Sequence, residues 1–196
     1  GFDIIRIADP SAPSRVSNFD TSVFTIDVVV SGAYAYAADG EAGLHILNTT
    51  NLSLPTRVGT FDTTGEVYRL DVSGNYVYAA DWGSGLQIIN VADASVPTRS
   101  GVFDTPGFAT DVFVLGDYAY VPDMSFGLQV INVSNAALPT RAGAFDTLGT
   151  AEAVFVSGTY AYVADGTGGL RILDISNAAA PNLTGTFDTT GNAAGV

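Results

Sequence analysis

Aspartate recurs at a fixed spacing in this sequence of 196 residues. Four aspartates follow one another at intervals of 42 residues, and a glycine stands four positions after each; they are Asp39, Asp81, Asp123 and Asp165. A ring of carboxylates could bind Ca²⁺, which takes roughly six to eight oxygen ligands. The loops lack the dense Asp-x-Asp-x-Asp spacing of a single-loop calcium site. We therefore predict no metal site, and we interpret each aspartate as a turn residue whose carboxylate accepts amide hydrogens of its own loop.

A second series of aspartates lies in Phe-Asp-Thr triplets, at Asp20, Asp62, Asp104, Asp146 and Asp188. Such a pair of short polar residues near a glycine is typical of an Asx or ST turn. If both series lie on one face of the molecule, they concentrate there the formal charge of −13. That face would attract cations, with calcium as one candidate, or a basic partner. The residues predicted for it are Asp39, Asp81, Asp123, Asp165, Asp62, Asp104 and Asp146.

The residue types in the sequence give little evidence of a catalytic site. His45 is the single histidine and cysteine is absent, so a Ser-His-Asp triad has one possible base and no recognisable nucleophile motif. Glycoside hydrolysis needs two carboxylates about 5–10 Å apart, and nothing in the sequence selects such a pair. We predict a protein that is not an enzyme, without catalytic residues and without a cofactor.

An internal repeat of 42 residues supplies the elements that must position these side chains. In the copy from Gly65 to Thr105, four segments of strand length alternate with turn signals: EVYRLDVSG, NYVYAAD, GLQIINV and TRSGVFD. Ser73-Gly74 between the first two is typical of an antiparallel hairpin. A repeat of this length indicates a solenoid, a propeller or an array. Four antiparallel strands per repeat favour an all-β fold, namely a β-propeller or an open propeller segment; a right-handed β-helix is the competing fold.

The repeats form one array over residues 1–196, about 4.67 units long. Residues 1–22 are predicted to be a partial repeat, 23–64, 65–106, 107–148 and 149–190 to be full repeats, and 191–196 to begin a further one. Both ends of the chain therefore fall inside a unit. This indicates either an excerpt of a longer array or a broken unit that something else completes.

The third strand of the repeat carries a recognisable pattern. It reads Leu-Gln-Ile-Ile-Asn from Leu86, Leu-Gln-Val-Ile-Asn from Leu128 and Leu-Arg-Ile-Leu-Asp from Leu170. With the preceding Tyr-x-Tyr-x-x-Asp and the following Ser-Asn-x-x-x-Pro, it resembles the LVIVD repeat family over the whole chain. The resemblance implies a propeller, most often in a surface or secreted protein, and implies no enzymatic activity. The last position departs from the family's acidic residue to Asn48, Asn90 and Asn132, and to Arg6 in the first copy.

Four charged residues lie near the start of the first strand of successive repeats: Asp27, Arg69, Asp111 and Glu152. In a propeller this strand lines the central channel, where ligands and metals commonly lie. The four residues differ between copies, as the residues of a specialised site would. Solvated residues of a channel wall would differ in the same way, so both interpretations stay open.

The loop between the second and third strands also varies between copies. Trp82 and Met124 occupy the position of Gly40 and Gly166, and Phe126 lies nearby in the same loop. Exposed aromatic residues on a loop can anchor a partner protein or a glycan. The alternative is a loop tip that folds onto its neighbour. We predict Trp82, Met124 and Phe126 as possible partner contacts.

Four asparagines begin an Asn-x-Ser/Thr sequence, which is the acceptor of N-glycosylation: Asn48, Asn51, Asn132 and Asn182. A sequence rich in Ser and Thr is expected to contain one or two such sites by chance. Glycosylation of these residues is therefore a prediction only for a host that performs it.

Composition limits the partners and the compartment. The basic residues number seven, all arginine, against 20 acidic ones; nucleic acid is an unfavourable partner, because binding phosphates requires clustered Lys and Arg. The apolar residues come in short runs, so we predict no membrane insertion. The acidity, the absence of Lys and the many Thr, Ser, Gly and Asn residues favour an extracellular or cell-surface protein.

The sequence as a whole predicts a non-catalytic extracellular propeller that serves as a scaffold or as a module for binding protein or glycan. A second hypothesis is a subunit of an extracellular fibre, in which copies of the chain complete the broken repeat by strand exchange, because unpaired strand edges are templates for association. The third hypothesis, an enzyme with its site in the channel, is the weakest.

Overall fold

The computed structural model describes residues 1–21 and 23–196. Within this part the chain forms eighteen β-strands in five antiparallel sheets. The strands are β1 (Phe2–Arg6), β2 (Ser14–Phe19), β3 (Asp27–Ser31), β4 (Tyr34–Ala38), β5 (Leu44–Asn48), β6 (Thr56–Phe61), β7 (Arg69–Ser73), β8 (Tyr76–Ala80), β9 (Leu86–Asn90), β10 (Thr98–Phe103), β11 (Phe113–Leu115), β12 (Tyr118–Pro122), β13 (Leu128–Asn132), β14 (Thr140–Phe145), β15 (Ala153–Ser157), β16 (Tyr160–Ala164), β17 (Leu170–Asp174) and β18 (Asn182–Phe187).

Each full repeat is one four-stranded sheet whose strands pair in chain order. We call these sheets blade 1 (β3–β6), blade 2 (β7–β10), blade 3 (β11–β14) and blade 4 (β15–β18), and we call the pair β1–β2 the half-blade. A tight hairpin joins the first two strands of a blade: Ser73 pairs with Tyr76, and Gly74 takes the left-handed φ of +59° that the turn requires. The predicted four-stranded antiparallel blade is confirmed.

The first strand is shorter than the sequence pattern suggests. In blade 2 it begins at Arg69, because Val67 forms an isolated bridge with Gly40 in the preceding blade. The Val67 amide donates to the Gly40 carbonyl at 3.1 Å, and the Gly40 carbonyl thus ties the entry of blade 2 to blade 1. The same bridge joins Trp82 to Ala109 and Met124 to Ala151. These residues serve the contact between blades rather than the sheet of their own blade.

The first strands are the innermost, since β3 contacts β7, β7 contacts β11 and β11 contacts β15. Apolar cores fill the space between consecutive blades. Leu44 and Ile46 of blade 1, for example, pack in one cluster with Leu70, Val77 and Ile89 of blade 2. Side chains alternate between the two faces of each sheet, so a second strand buries tyrosine on one side and alanine on the other.

Glycine in the fourth strand allows the blades to approach closely. A Cβ atom built on Gly59 would lie 2.1 Å from the Ala94 carbonyl oxygen of blade 2, a distance that no side chain tolerates. Gly101 has the same relation to Ala136, at 2.2 Å. In the half-blade this position is Ser17, whose hydroxyl donates to the Leu52 carbonyl of blade 1 at 2.6 Å.

The strand edge on which the fibre hypothesis depends is that of β1, which pairs with β2. Strand exchange between copies stays a prediction. In the part of the chain that the structure describes, no helix is both long and apolar enough to cross a membrane.

Candidate binding site at the channel mouth

The connections from one blade to the next meet the loops between second and third strands on one face, which we call the top face. In blade 2, Asp81 links the loop between the second and third strands to the connection that enters the blade. Its carboxylate accepts a hydrogen bond from the Thr63 hydroxyl at 2.7 Å and one from the Gly65 amide at 3.1 Å. The Gly107 amide donates in the same way to Asp123 at 2.9 Å. The aspartate and the threonine of the two recurring motifs are therefore partners, as their shared spacing allows.

This arrangement corrects two predictions about the first aspartate series. The carboxylates bond to the segment that enters their blade, not to amides of their own loop as predicted. They are also completely buried, so they do not present charge to solvent, and the predicted cation-attracting face loses the four residues Asp39, Asp81, Asp123 and Asp165. Asp62, Asp104 and Asp146 are exposed, and attraction of cations to them stays a prediction. Within the described ranges, no three His, Cys, Asp or Glu side chains come together as a metal site requires.

The buried aspartates differ in how their charge is balanced. Burial raises the pKa of Asp81 to about 6, against the hydrogen bonds from Thr63 and Gly65. Asp165 forms an ion pair with Arg171, whose Nε lies 2.9 Å from its carboxylate. In blade 1 the carboxylate of Asp39 lies 3.8 Å from the Nε2 of His45, which is buried in the sheet. The single histidine thus occupies the structural position that arginine holds in blade 4.

Three aspartates of the channel wall bind neighbouring inner strands together. Each accepts the amide of the next residue with one oxygen and an amide of the next blade with the other. Asp27 thus bonds to Leu70 at 2.9 Å, and Asp111 to Val154 at 2.9 Å. The bonds satisfy inner-strand amides that would otherwise lack a partner. The third member is Asp71.

Asp71 was not predicted from the sequence. It lies two residues beyond the position of Arg69, in a strand that reads as an ordinary alternation. The only available signal is a lone carboxylate among apolar residues of an inner strand. Burial raises the pKa of Asp71, and it raises that of Asp111 to about 6, against the amide hydrogen bonds that each accepts. Asp27 and Asp111, two of the four predicted channel residues, are therefore structural.

A cavity of about 370 Å³ opens where the channel meets the top face. Five repeats contribute the same position to its wall, so the blades curl round one common axis. The residues at this position are Ile26, Tyr68, Thr110, Glu152 and Ala194, and the remaining lining residues are Arg69, Trp82, Met124 and Ala153. The structure thus brings together Arg69, Glu152, Trp82 and Met124, which the sequence singled out in two separate patterns.

Trp82 and Met124 adopt a backbone conformation that side chains avoid. Their φ angles are +46° and +52°, in the left-handed region, where blades 1 and 4 have Gly40 and Gly166. A residue with a Cβ atom pays about 1–2 kcal/mol for this conformation. Such strain persists only where the surroundings enforce it, and it clusters at functional sites.

The indole of Trp82 stacks between two other aromatic rings. Its centroid lies 4.7 Å from that of Tyr68 and 4.7 Å from that of Phe108, with interplanar angles of 18° and 26°. Both faces of the indole are covered, so a partner can reach its edge but not its faces. Phe126 is 48% exposed on the same face, as are Phe108 at 45%, Phe24 at 83% and Leu148 at 89%.

The four predicted glycosylation residues have structural partners of their own. Asn48 accepts hydrogen bonds from the Thr50 amide at 2.9 Å and from its hydroxyl, which is an Asx turn. Asn132 caps Ser134 in the same way, and Asn51 caps Ser53. Asn182 donates to the Ala180 carbonyl. A turn with Asn followed two residues later by Ser or Thr creates the acceptor sequence without any glycan, so glycosylation stays a prediction.

Four-stranded antiparallel blades around a common channel define the class of this protein, a β-propeller repeat protein. The LVIVD repeat model matches residues 1–21, 25–63, 64–105, 106–147 and 148–189. The chain belongs to the LVIVD repeat family, and the resemblance noted in the sequence is confirmed. No curated protein matches it.

Solved structures share the fold at low sequence identity. A protein of unknown function from Desulfotomaculum acetoxidans DSM 771 matches with a TM-score of 0.75 and 13% identity, over 88% of this chain and 59% of that one. The computationally designed Ika8 protein matches with 0.70 and 8%, over 85% and 49%. The β-propeller domain of Cps50 (Swd1) from Myceliophteria thermophila matches with 0.67 and 13%, over 84% and 60%. This chain thus spans 49% to 60% of their length.

Proposed function

We propose that this propeller is a non-catalytic extracellular module that binds a peptide or protein partner at the channel mouth. One observation carries the proposal. Trp82 and Met124 line the cavity, and each holds the left-handed conformation that Gly40 and Gly166 provide in blades 1 and 4. Blades with glycine there form the same sheet, so the fold does not require a large side chain at this position.

The surroundings of the cavity support a partner with apolar groups. Phe108 and Phe126 are about half exposed on the top face, and exposed apolar residues grouped on one face mark interaction sites. The exposed aspartates of the Phe-Asp-Thr triplets surround them with negative charge, which favours a partner that is not strongly acidic.

Enzymatic activity at the cavity is less well supported than binding. The charged side chains in the cavity wall are Arg69 and Glu152, and among the described residues the wall contains no nucleophile paired with a base. His45 is 3% exposed within blade 1. Extracellular location is proposed on composition alone.

Two substitutions test the proposal. The double variant Trp82→Gly/Met124→Gly gives blades 2 and 3 the glycine that blades 1 and 4 have at this position. It relieves the backbone strain and removes two side chains from the cavity wall. A phage-displayed library of random peptides is selected on the immobilised protein, in parallel with a panel of immobilised glycans. We expect enriched peptides that bind the unsubstituted protein and lose at least about tenfold in affinity for the double variant.

Leu138→Ala is the matched control, since Leu138 is 69% exposed in a loop between third and fourth strands, on the opposite face. It should leave peptide binding unchanged. A cooperative thermal transition confirms that the double variant is folded. Equal binding to the double variant, or a failure to enrich any peptide, would overturn the proposal. Retention of a glycan without peptide enrichment would assign the module to the other class of partner.

A further inference from the structure

We infer that the cavity takes a short zwitterionic peptide with apolar side chains, its carboxylate at Arg69 and its ammonium group at Glu152. The inference rests on the proposed function and deepens it, because it names the chemistry of the ligand. It follows from two charged groups at the channel mouth, from their positions in different blades, and from the apolar side chains that line the same cavity.

Arg69 is fixed in place while most of its hydrogen-bonding capacity stays free. Its Nη1 donates to the Ile26 carbonyl at 3.0 Å and to the Tyr68 carbonyl at 3.4 Å. Within residues 1–21 and 23–196, its Nη2 and Nε donate to no protein acceptor, and the residue takes part in no ion pair. A guanidinium held in this way presents a planar pair of donors that matches a carboxylate.

Glu152 supplies the opposite charge from blade 4. Its Oε1 accepts a hydrogen bond from the Nδ2 of Asn192 at 3.0 Å, which fixes the side chain. Its Oε2 accepts none from the described part of the chain. Arg69 is tied to the segment that enters blade 1 and Glu152 to the segment after blade 4, so the two charges are held by different parts of the chain.

The other carboxylates of the channel are held by backbone amides. Asp27, Asp71 and Asp111 accept amide hydrogens with both oxygens, one from their own strand and one from the next blade. Arg69 and Glu152 are the two charged side chains of the cavity wall that keep hydrogen-bonding groups uncommitted in the described part of the chain. The charge of Arg69 also acts on Asp111, where it opposes the rise in pKa that burial causes.

Apart from Arg69, Glu152 and Thr110, apolar and aromatic side chains line the cavity. They are Ile26, Tyr68, Trp82, Met124, Ala153 and Ala194. The volume of about 370 Å³ lies at the lower end of the range of roughly 300–1,000 Å³ that is usual for small-molecule sites. A peptide of two or three residues fits this size and carries both terminal charges.

Ligands with a single charge fit less well. An anion would meet Arg69 but would be repelled by the formal charge of −13 on the protein. A cation would meet Glu152 but lie near the guanidinium of Arg69. A zwitterion is neutral as a whole, and it pairs with both groups.

Isothermal titration calorimetry with leucyl-leucine tests the inference. The free dipeptide is compared with its N-acetylated form and with its C-terminal amide, which lack one charge each. We expect the free dipeptide to bind, and each capped form to bind at least about tenfold more weakly. Arg69→Gln should abolish the difference between the free dipeptide and its amide, and Glu152→Gln the difference between the free and the acetylated forms. Glu66→Gln, a charge change on the top face outside the cavity wall, should alter neither.

Equal affinity of the free and capped dipeptides would overturn the inference, as would the absence of binding by the free dipeptide at millimolar concentration. The failure is separable from that of the proposed function. If library peptides still bind and lose affinity in the Trp82→Gly/Met124→Gly variant, the module binds peptides by another chemistry. If neither library peptides nor the dipeptide bind, both proposals are wrong.

Discussion

Leu148 combines an unfavourable backbone conformation with an exposed side chain. Its φ is +65°, in the left-handed region, while its side chain is 89% exposed and buries almost nothing in return. Leu148→Gly should therefore stabilise the protein by about 1 kcal/mol, because glycine adopts this conformation without steric cost. Chemical denaturation measures the change. Leu138→Gly is the control, since Leu138 is also exposed but has no positive φ; it should be neutral or destabilising, and a similar gain there would contradict the explanation.

Single residues also show how far sequence reasoning reaches. The recurring Asp81 and Thr63 could be placed in connections between strands, because the spacing repeats in every copy, but the predicted bonding of Asp81 to amides of its own loop was wrong. Their bond to each other joins segments 18 residues apart, which no local rule predicts. The hydrogen bond from the Val114 amide to Asp71 spans 43 residues and joins two blades. Local rules do not predict it either.

At the level of the strand, the surroundings of the glycine in the fourth strand show whether another blade packs against that strand. A Cβ on Gly101 would lie 2.2 Å from the Ala136 carbonyl of the next blade, whereas one on Gly185 would meet only Ile172, at 3.6 Å or more. Gly101→Ala should cost about 2–3 kcal/mol, since it forces two blades apart. Gly185→Ala should be neutral or slightly stabilising, because alanine restricts the unfolded chain. Equal unfolding free energies of the two variants would contradict this account of how blades pack.

At the level of the whole molecule, the architecture was predictable and the site was not. The period of 42 residues and four strand patterns per copy determine the blade, because each strand is set by local alternation and turns. The cavity depends on the curvature of the array, which brings Ile26 and Ala194 to one opening although their positions in the sequence differ by 168 (194 − 26). Variation between copies did point to Arg69, Glu152, Trp82 and Met124, yet it also pointed to Asp27 and Asp111, which hold the inner strands together.

The buried carboxylates make the stability of the whole propeller depend on pH in an unusual direction. Burial raises the pKa of Asp81 and of Asp111 from 3.8 to about 6. Between these values the two carboxyls bind more protons in the folded protein than in the unfolded chain, so their contribution to stability falls as pH rises from about 4 to about 6 and then levels off. His45 acts in the opposite direction, because burial lowers its pKa from 6.5 and its contribution rises with pH over part of this range. At lower pH the stability decreases again because of Asp9 and Asp93. Hydrogen bonds from the Ser11 and Ser95 side chains lower the pKa of each carboxyl. Their contribution is lost as pH falls below about 4.

We therefore expect the melting temperature to be higher at pH 5 than at pH 7.5 by at least about 2 °C, which corresponds to roughly 1 kcal/mol for a chain of this size. In Asp111→Asn the transition should lie lower at both pH values, because the amide group cannot accept both backbone hydrogens, and the difference between the two pH values should shrink. Asp117→Asn removes one negative charge from an exposed position and controls for the general relief of charge repulsion at low pH. A melting temperature that rises from pH 5 to pH 7.5, or an equal effect of the two substitutions on the pH dependence, would show that the inner-strand carboxylates do not govern it.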